Sequence, residues 1–551
     1  MHNCTLPLLL TLLLSIGCAE PVQFTEPPAL ANNPNSRAPL AGIVRFTTDR
    51  PVSTTLSVTD GTHSWSLQYD SSHDTKKGLP VVGMRASREH TVRISLKDAN
   101  GVETQAPEAL TITTPALPTD GDEFPNLVVS KNISDKVTHG YTLLNPRRMM
   151  PRNTSRQAGG QENQTTTDFG RNFGLITIVD DAGEVVWYYR SERRMADLQY
   201  LDNGHLLFTT TDDAIVEIDL LGNIIAEWWA ANRPAGPGTG TPVDALTLHH
   251  DLDKMPNGNI IALNTERKQI DNWWSNDLDP ETPRSTQWVM GDIIVEFDQT
   301  GKIVWSWNAF DYLDPMRIGY ETFVNYWIRR GFPATRDWSH ANGLEYLPED
   351  DALLVNFRVQ SCVVKIDRKS GDILWIFGEP TGWPDRLQDK LITMKNGSWP
   401  WHQHAPLITD RGTLLLFDNG NFQRRPFDEA LPIAETHSRI VEYRIDETTL
   451  TAEEIWTSDT SGDVPVVSFA MGSVQQLAGT GNIMAGYGMT LPTDKLDQLT
   501  WNTVNRFGAW TMVREFTHTS PAEVVWELTV QPKPGSAIGW TLFGAQKFSE
   551  F

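Results

Sequence analysis

GLITIVDDAGEVVWYYR (residues 174–190), IVEIDLLGNIIAEWW (215–229), DIIVEFDQTGKIVWSWN (292–308) and CVVKIDRKSGDILWIFG (362–378) are four spellings of one unit. Each has an apolar strand, an Asp, a turn containing Gly, and a second strand with Trp. In three of them Trp stands four residues after the Gly: Gly183 and Trp187, Gly301 and Trp305, Gly371 and Trp375. Looser copies lie at 439–457 and 510–528. A second hairpin half alternates with them: LQYLDNGHLLFTT (198–210), HHDLDKMPNGNIIAL (249–263), ANGLEYLPEDDALLVN (341–356), HAPLITDRGTLLLFD (404–418) and VQQLAGTGNIMAGY (474–487), with GWTLFGAQKF (539–548) available as a sixth. Six copies of a two-hairpin unit predict a six-bladed β-propeller, because a twisted four-stranded sheet buries both faces only between two neighbours. A β-solenoid needs shorter, more uniform periods. The Trp are expected between the sheets. Insertions at 232–247, 269–286 and 310–332 are long enough to be functional loops, gathered over one end of the axis.

Outward from the repeats, residues 41–49, 54–61, 90–101 and 110–115 alternate polar and apolar between Asp-Gly and Asn-Gly turns, which predicts a small β-sandwich over 22–115. The Pro-rich stretch 113–125 reads as the passage into the propeller domain, 116–551. Twenty Trp and forty Gly in 551 residues suit an all-β chain of short strands. The formal net charge of −23 argues against nucleic acid as a partner and means that an anionic substrate needs a local cationic pocket. Leu6–Gly17 is too short to span a bilayer and reads as the apolar core of a signal peptide over residues 1–18. It ends in LSIGC, resembling a lipobox in which Cys18 is lipidated, although Ser15 and the uncharged MHN start depart from the usual pattern; simple cleavage is the alternative. The expected location is periplasmic or outer-membrane-anchored, with membrane contact only through that lipid. With Cys4 and Cys18 in the leader, Cys362 is the single interior thiol, a buried apolar side chain with no disulfide partner.

Histidines fall at comparable points of consecutive units. His249 and His250 open one inner strand, His340 the next and His404 the one after; His250 stands eight residues before Gly258 and His404 eight before Gly412. Equivalent positions on successive sheets point toward one axis, and Arg358, on the strand after His340, adds a cation. One strand histidine is ordinarily a hydrogen-bonded core residue; three in register with an arginine form a candidate site. His402 is left outside the set, since it shares a face with His404 only in a regular strand. Asp418 and Asn419 read as turn or supporting residues.

HHDLDKMPNGN (249–259), HANGLEYLPEDDALLVNFR (340–358) and QHAPLI…GTLLLFDNGNFQ (403–423), together with RAPLAGIVRFTTDRPVSTTLSV (37–58), resemble the bacterial arylsulfate sulfotransferases over nearly the whole mature chain. The resemblance implies a six-bladed propeller behind a small β-domain, often dimeric, working in the periplasm by ping-pong transfer from an aryl sulfate donor to a phenolic acceptor, independent of PAPS and with no added cofactor or metal. It makes His404 the nucleophile and His250, His340 and Arg358 its catalytic partners, with Asn342 and His249 as substrate-binding candidates; which of His249 and His250 faces the site is open. Better-known members carry a cysteine pair before QH, and this chain does not. The chemistry suits the residues. An imidazole attacks sulfur and leaves again, a guanidinium forks onto sulfonate oxygens, and the remaining imidazoles and an amide meet the phenolic oxygen. Two rivals remain: a metal-dependent hydrolase or sulfatase, for which no HExxH is present and Asp251 has to complete the ligands, and a non-catalytic envelope scaffold, which has no use for buried histidines.

Overall fold

The computed structural model describes residues 20–149, 169–500, 509–536 and 538–551, so Cys18 and the apolar leader lie outside the described residues. Near the N-terminus two sheets face each other: Phe24–Asn32, Gly42–Thr48 and Leu79–Val81 against Ser64–Tyr69, Val52–Thr59, Glu89–Asp98 and Glu103–Gln105, with Leu110–Thr113 alongside. The alternation in sequence becomes alternation in burial, as Leu56, Val58, Val92, Ile94 and Leu96 point inward while their neighbours meet solvent. Each such side chain contributes about 1.5–3 kcal/mol by leaving water. Their core continues into Trp187 and Tyr189 of the following sheet, and Asp180 pairs with the buried Arg85 across the junction.

Beyond residue 125 the strands of the described residues form six sheets, each with four antiparallel strands at its heart. The innermost strands, in chain order, are Met195–Tyr200, His249–Lys254, Ala341–Leu347, His404–Ile408, Ser473–Gln476 and Gly539–Phe548, and each touches the next in a closed cycle, as a propeller requires. The C-terminal strand pairs with Tyr141–Met149, completing the first sheet from the far end of the chain. Asn126–Asn132 pairs with Val524–Gln531, extending the last sheet from the near end. Apolar layers fill the gaps between neighbouring sheets, for example Leu207, Ile215 and Trp228 against Ile260, Val295 and Phe297.

The Asp of the repeat earns its place at the turn. In the first three copies its Oδ1 accepts two backbone N–H groups, as Asp180 does from Ala182 and Glu184 and Asp298 from Thr300 and Lys302, and the glycines that follow have φ of 83°, 78° and 79° at Gly183, Gly222 and Gly301. The Trp of one sheet then reaches the turn of the next. Trp187 Nε1 donates to the Leu220 carbonyl at 2.8 Å, Trp228 to Gln299 at 3.4 Å, Trp307 to Gly371 at 3.0 Å, Trp375 to the Glu447 carboxylate at 3.0 Å, Trp456 to Thr519 at 2.9 Å, and Trp526 to Asp181 at 2.9 Å, back on the first sheet. In the third sheet this role belongs to the buried Trp307, and Trp305, four after the Gly, is only half-buried. The two indoles share a face of the strand, and the one two residues further along meets the neighbour's turn.

Inner strands are also stitched by carboxyls. Asp251 Oδ2 accepts from Leu344 N at 2.8 Å, Asp253 Oδ2 from Tyr346 N at 3.1 Å, and Glu345 Oε2 from Ile408 N at 2.9 Å. Burial pushes Asp253 up to about 6 and Glu345 up to about 8. Asp197 and Asp251, which share a hydrogen bond, are raised as well by the same desolvation. Among the described residues no helix is long and apolar enough to cross a membrane.

Candidate active site

Each histidine-bearing inner strand begins with an irregularity. Pairing slips between His249 and Leu252, between Ala341 and Gly343, and between His404 and Leu407, and at each slip one residue takes a left-handed backbone: His250 at φ 52°, His340 at 51° and Ala405 at 49°. A bulge of this kind re-aims adjacent side chains that a regular strand sends to opposite faces. His250, His340 and His404 thereby line one cavity of about 1040 Å³, with Arg358 among its walls. The insertion at 310–332 covers part of it through Glu321, Tyr326 and Arg330, and Pro234 and Ala235 come from the insertion at 232–247.

His404 is held by one amide. Asn419 Nδ2 donates to the Ser468 carbonyl at 2.9 Å and to the Met471 carbonyl at 3.0 Å. With both N–H groups engaged, its Oδ1 faces His404 Nδ1 at 2.6 Å and can only accept. The proton of the neutral ring therefore sits on Nδ1, and Nε2 keeps its lone pair. Burial, then the Arg358 guanidinium, lower His404 to about 3, so the imidazole is neutral throughout the physiological range.

Arg358 forms a 2.5 Å ion pair from Nη2 to Glu321; its Nε and Nη1 have no protein acceptor among the described residues. His340 Nδ1 lies 2.5 Å from Asp337 Oδ2, and Asp337 Oδ1 accepts the Trp327 indole at 2.8 Å, which fixes both groups. The His340 and His250 rings are 4.9 Å apart. His250 Nε2 meets the Tyr326 hydroxyl at 3.3 Å, its Nδ1 meets His249 Nδ1 at 2.7 Å, and His249 Nε2 is 3.3 Å from Asp292. Burial and the neighbouring His340 hold His250 well below its ordinary value.

Four of the residues singled out in sequence, His250, His340, Arg358 and His404, thus meet in one place. His249 and Asn342 stand behind the wall: His249 is buried beneath His250, and Asn342 donates to the Gln403 carbonyl at 3.2 Å and accepts from Asn356, fixing the peptide that precedes His404. His402 is buried 3.6 Å from Glu321 and off the cavity. Cys362 is buried, and burial pushes its thiol up to about 12. Sequence reading did not single out Tyr326, Asp337, Glu321 or Arg147. The first three lie in or beside the flagged insertion at 310–332, whereas Arg147 carries no local signal. Among the described residues no group of three or more His, Cys, Asp or Glu is arranged to hold a metal ion.

The N-terminal sandwich matches the arylsulfotransferase Ig-like domain over residues 29–115. The arylsulfate sulfotransferase AssT of Lelliottia amnigena is 25% identical over 456 residues, covering 69% of this chain and 71% of that enzyme, and AssT of Escherichia coli O6:H1 is 26% identical over 282 residues, covering 44% and 43%. Among solved structures the Synechocystis apocarotenoid oxygenase overlaps with a TM-score of 0.32 at 9% identity, over 78% of this chain and 98% of that one. The main domain matches the model of the arylsulfotransferase (ASST) family from residue 133 to residue 531, most of the chain, and the protein belongs to that family.

Proposed function

We propose that the protein transfers a sulfuryl group from an aryl sulfate to a phenol in two steps, through a covalent intermediate on His404 Nε2. Membership of an arylsulfotransferase family supports the overall reaction. The observation that carries the stepwise route is the Asn419 amide, which leaves an unprotonated nitrogen beside an arginine with open donors.

In the first step the sulfonate oxygens lie on Arg358 Nε and Nη1, and His404 Nε2 attacks sulfur in line with the aryl oxygen. The N–S bond forms as the S–O bond breaks. Charge moves onto the departing phenolate, which takes the Nε2 proton of a doubly protonated His340; the ring is left neutral with its Nδ1–H on Asp337. The intermediate is an N-sulfo imidazolium whose positive ring still donates from Nδ1 to Asn419. In the second step an acceptor phenol returns its proton to His340, and its oxygen displaces the imidazole from sulfur. Such a transition state is loose and its charge is spread over oxygens, so fixed cationic donors dominate the rate. Removal of one such donor costs about 3–4 kcal/mol. Asp337 positions His340, and the Tyr326–His250–His249 chain faces the aryl oxygen from the other side.

The test uses p-nitrophenyl sulfate with and without phenol. Phenol-dependent release of nitrophenol, reduced at least about 1000-fold in His404→Ala, is expected. Equal release into water alone makes the protein a sulfatase, and a fully active His404→Ala variant removes the covalent route. As part of the same proposal the chain is exported to the periplasm and anchored by a lipid on Cys18; release of Cys18→Ser from the membrane fraction is the expected outcome.

A further inference from the structure

Arg358 is not the only cation in the cavity. On the opposite side of the ring, the first and second sheets bring Arg147, Arg171 and Arg194 into its wall, joined by Arg330 from the insertion. Arginines at the same rim, Arg193 and Arg233, are neutralised by Asp212 and Glu227. Arg147, Arg171 and Arg194 have no carboxylate partner among the described residues. Arg147 is buried; Nε donates to the Met195 carbonyl, Nη1 lies 3.1 Å from Met471 Sδ, and the guanidinium sits 5.0 Å from the Phe543 ring. Arg171 is exposed at the mouth of the cavity, where its Nη2 donates to the Arg329 carbonyl at 2.6 Å. Arg194 Nε is buried with no hydrogen-bond partner, and so is Arg330 Nη1, which stands 3.6 Å from Asp213 and also faces the charges of Asp337 and Asp212. Burial together with Arg330 and Arg171 lowers Arg194 to about 10. Unpaired buried charge is costly and is tolerated where a ligand supplies the counter-charge.

Phe543, Ala470 and Met471 line the cavity too, giving apolar surface for an aromatic ring, and about 1040 Å³ is far more than a phenyl sulfate fills. We infer that Arg147, Arg171, Arg194 and Arg330 form a second anion site, so that the preferred substrates are aryl sulfates or phenols bearing a further carboxylate, sulfonate or sulfate away from the transferred group. This rests on the sulfuryl transfer proposed above and specifies its substrate class.

The probes are 4-carboxyphenyl sulfate and its methyl ester, which differ by the second charge. Binding is measured by calorimetry and transfer to phenol by kcat/KM, in the wild type, in Arg194→Gln and in the Arg147→Gln/Arg194→Gln double variant. The acid is expected to be preferred at least about tenfold in both readouts, as charge-assisted hydrogen bonds imply. The acid-to-ester ratio should approach one in the double variant; because it is taken within each protein, a general loss of affinity cancels. If the double variant does not fold, Arg194→Gln carries the test with a partial fall in the ratio. Equal binding of acid and ester to the wild type, or a ratio that survives the substitutions, overturns the second site. Tighter binding of the acid without sulfuryl transfer from either probe supports the site and sinks the reaction; transfer from both probes at equal Kd and kcat/KM does the reverse.

Discussion

Substituting Asn419 by Asp exchanges a neutral acceptor 2.6 Å from His404 Nδ1 for a charged one. In surroundings with an effective dielectric constant near 20, a carboxylate about 4 Å from the centre of an imidazolium stabilises it by ~4 kcal/mol. That energy moves a protonation midpoint of about 3 to about 6. Protonated at Nε2, the ring has no lone pair for sulfur. The wild-type kcat/KM for p-nitrophenyl sulfate with phenol should therefore show no loss assignable to His404 down to about pH 4, whereas Asn419→Asp should gain an acid limb near pH 6. Asn419→Ala separates charge from support: losing a hydrogen bond worth about 1–3 kcal/mol lowers kcat roughly 5- to 150-fold with no new limb. Near-UV circular dichroism verifies the fold of each variant. Coincident pH profiles for wild type, Asn419→Ala and Asn419→Asp would refute the tautomer assignment and the stepwise route built on it.

Asp337→Asn should reduce kcat by about 100-fold or more with little change in KM, since an amide no longer stabilises the doubly protonated His340 that gives up its Nε2 proton; steady-state kinetics read the split, and a change confined to KM contradicts the role. Glu345 is held near 8 against an ordinary 4.5, so its protonated form is the one the fold prefers: that stability is complete below about pH 4 and disappears as pH rises through 8. Glu345→Gln, which keeps an acceptor for Ile408, should gain on the wild type by on the order of 4 kcal/mol between about pH 5 and pH 9, read as a widening gap in Tm; parallel melting curves count against it. Trp526→Phe leaves the Asp181 carbonyl without its indole donor and should cost about 1–3 kcal/mol, lowering Tm while transfer at 25 °C persists; an unchanged Tm means the bond carries no weight.

Much of the fold was readable because the repeat is written in residues whose chemistry is local. Asp folds a turn through its own carboxylate, Gly takes the left-handed position, and Trp has one donor that must be satisfied when buried. The spacing rule failed once, at Trp305 and Trp307: both lie on one face of the strand, and how far along it the next sheet's turn sits decides which indole reaches that turn. At the site, counting to the turn glycine paired His250 with His404, and both line the cavity. The backbone tells a different story: His404 precedes left-handed Ala405 as His249 precedes left-handed His250, so the strands are not equivalent residue for residue. Neither His nor Ala announces a left-handed backbone, and the bulge was invisible. Arg147 and Arg194 were invisible for another reason. They lie on sheets without a histidine marker and reach the cavity only because the chain's two ends join.

That join sets the order of events in the life of the molecule. Released N-terminus first, the chain has made three strands of its opening sheet by Ser191, yet the fourth, Gly539–Phe548, emerges only after the strands of the other five sheets. Until then the bare flank of Tyr141–Met149 is an unpaired edge, and Phe543 is missing from the wall of the cavity. A chain that lacks Gly539–Phe548 is thus an open arc with sticky borders, and that one strand shuts the circle.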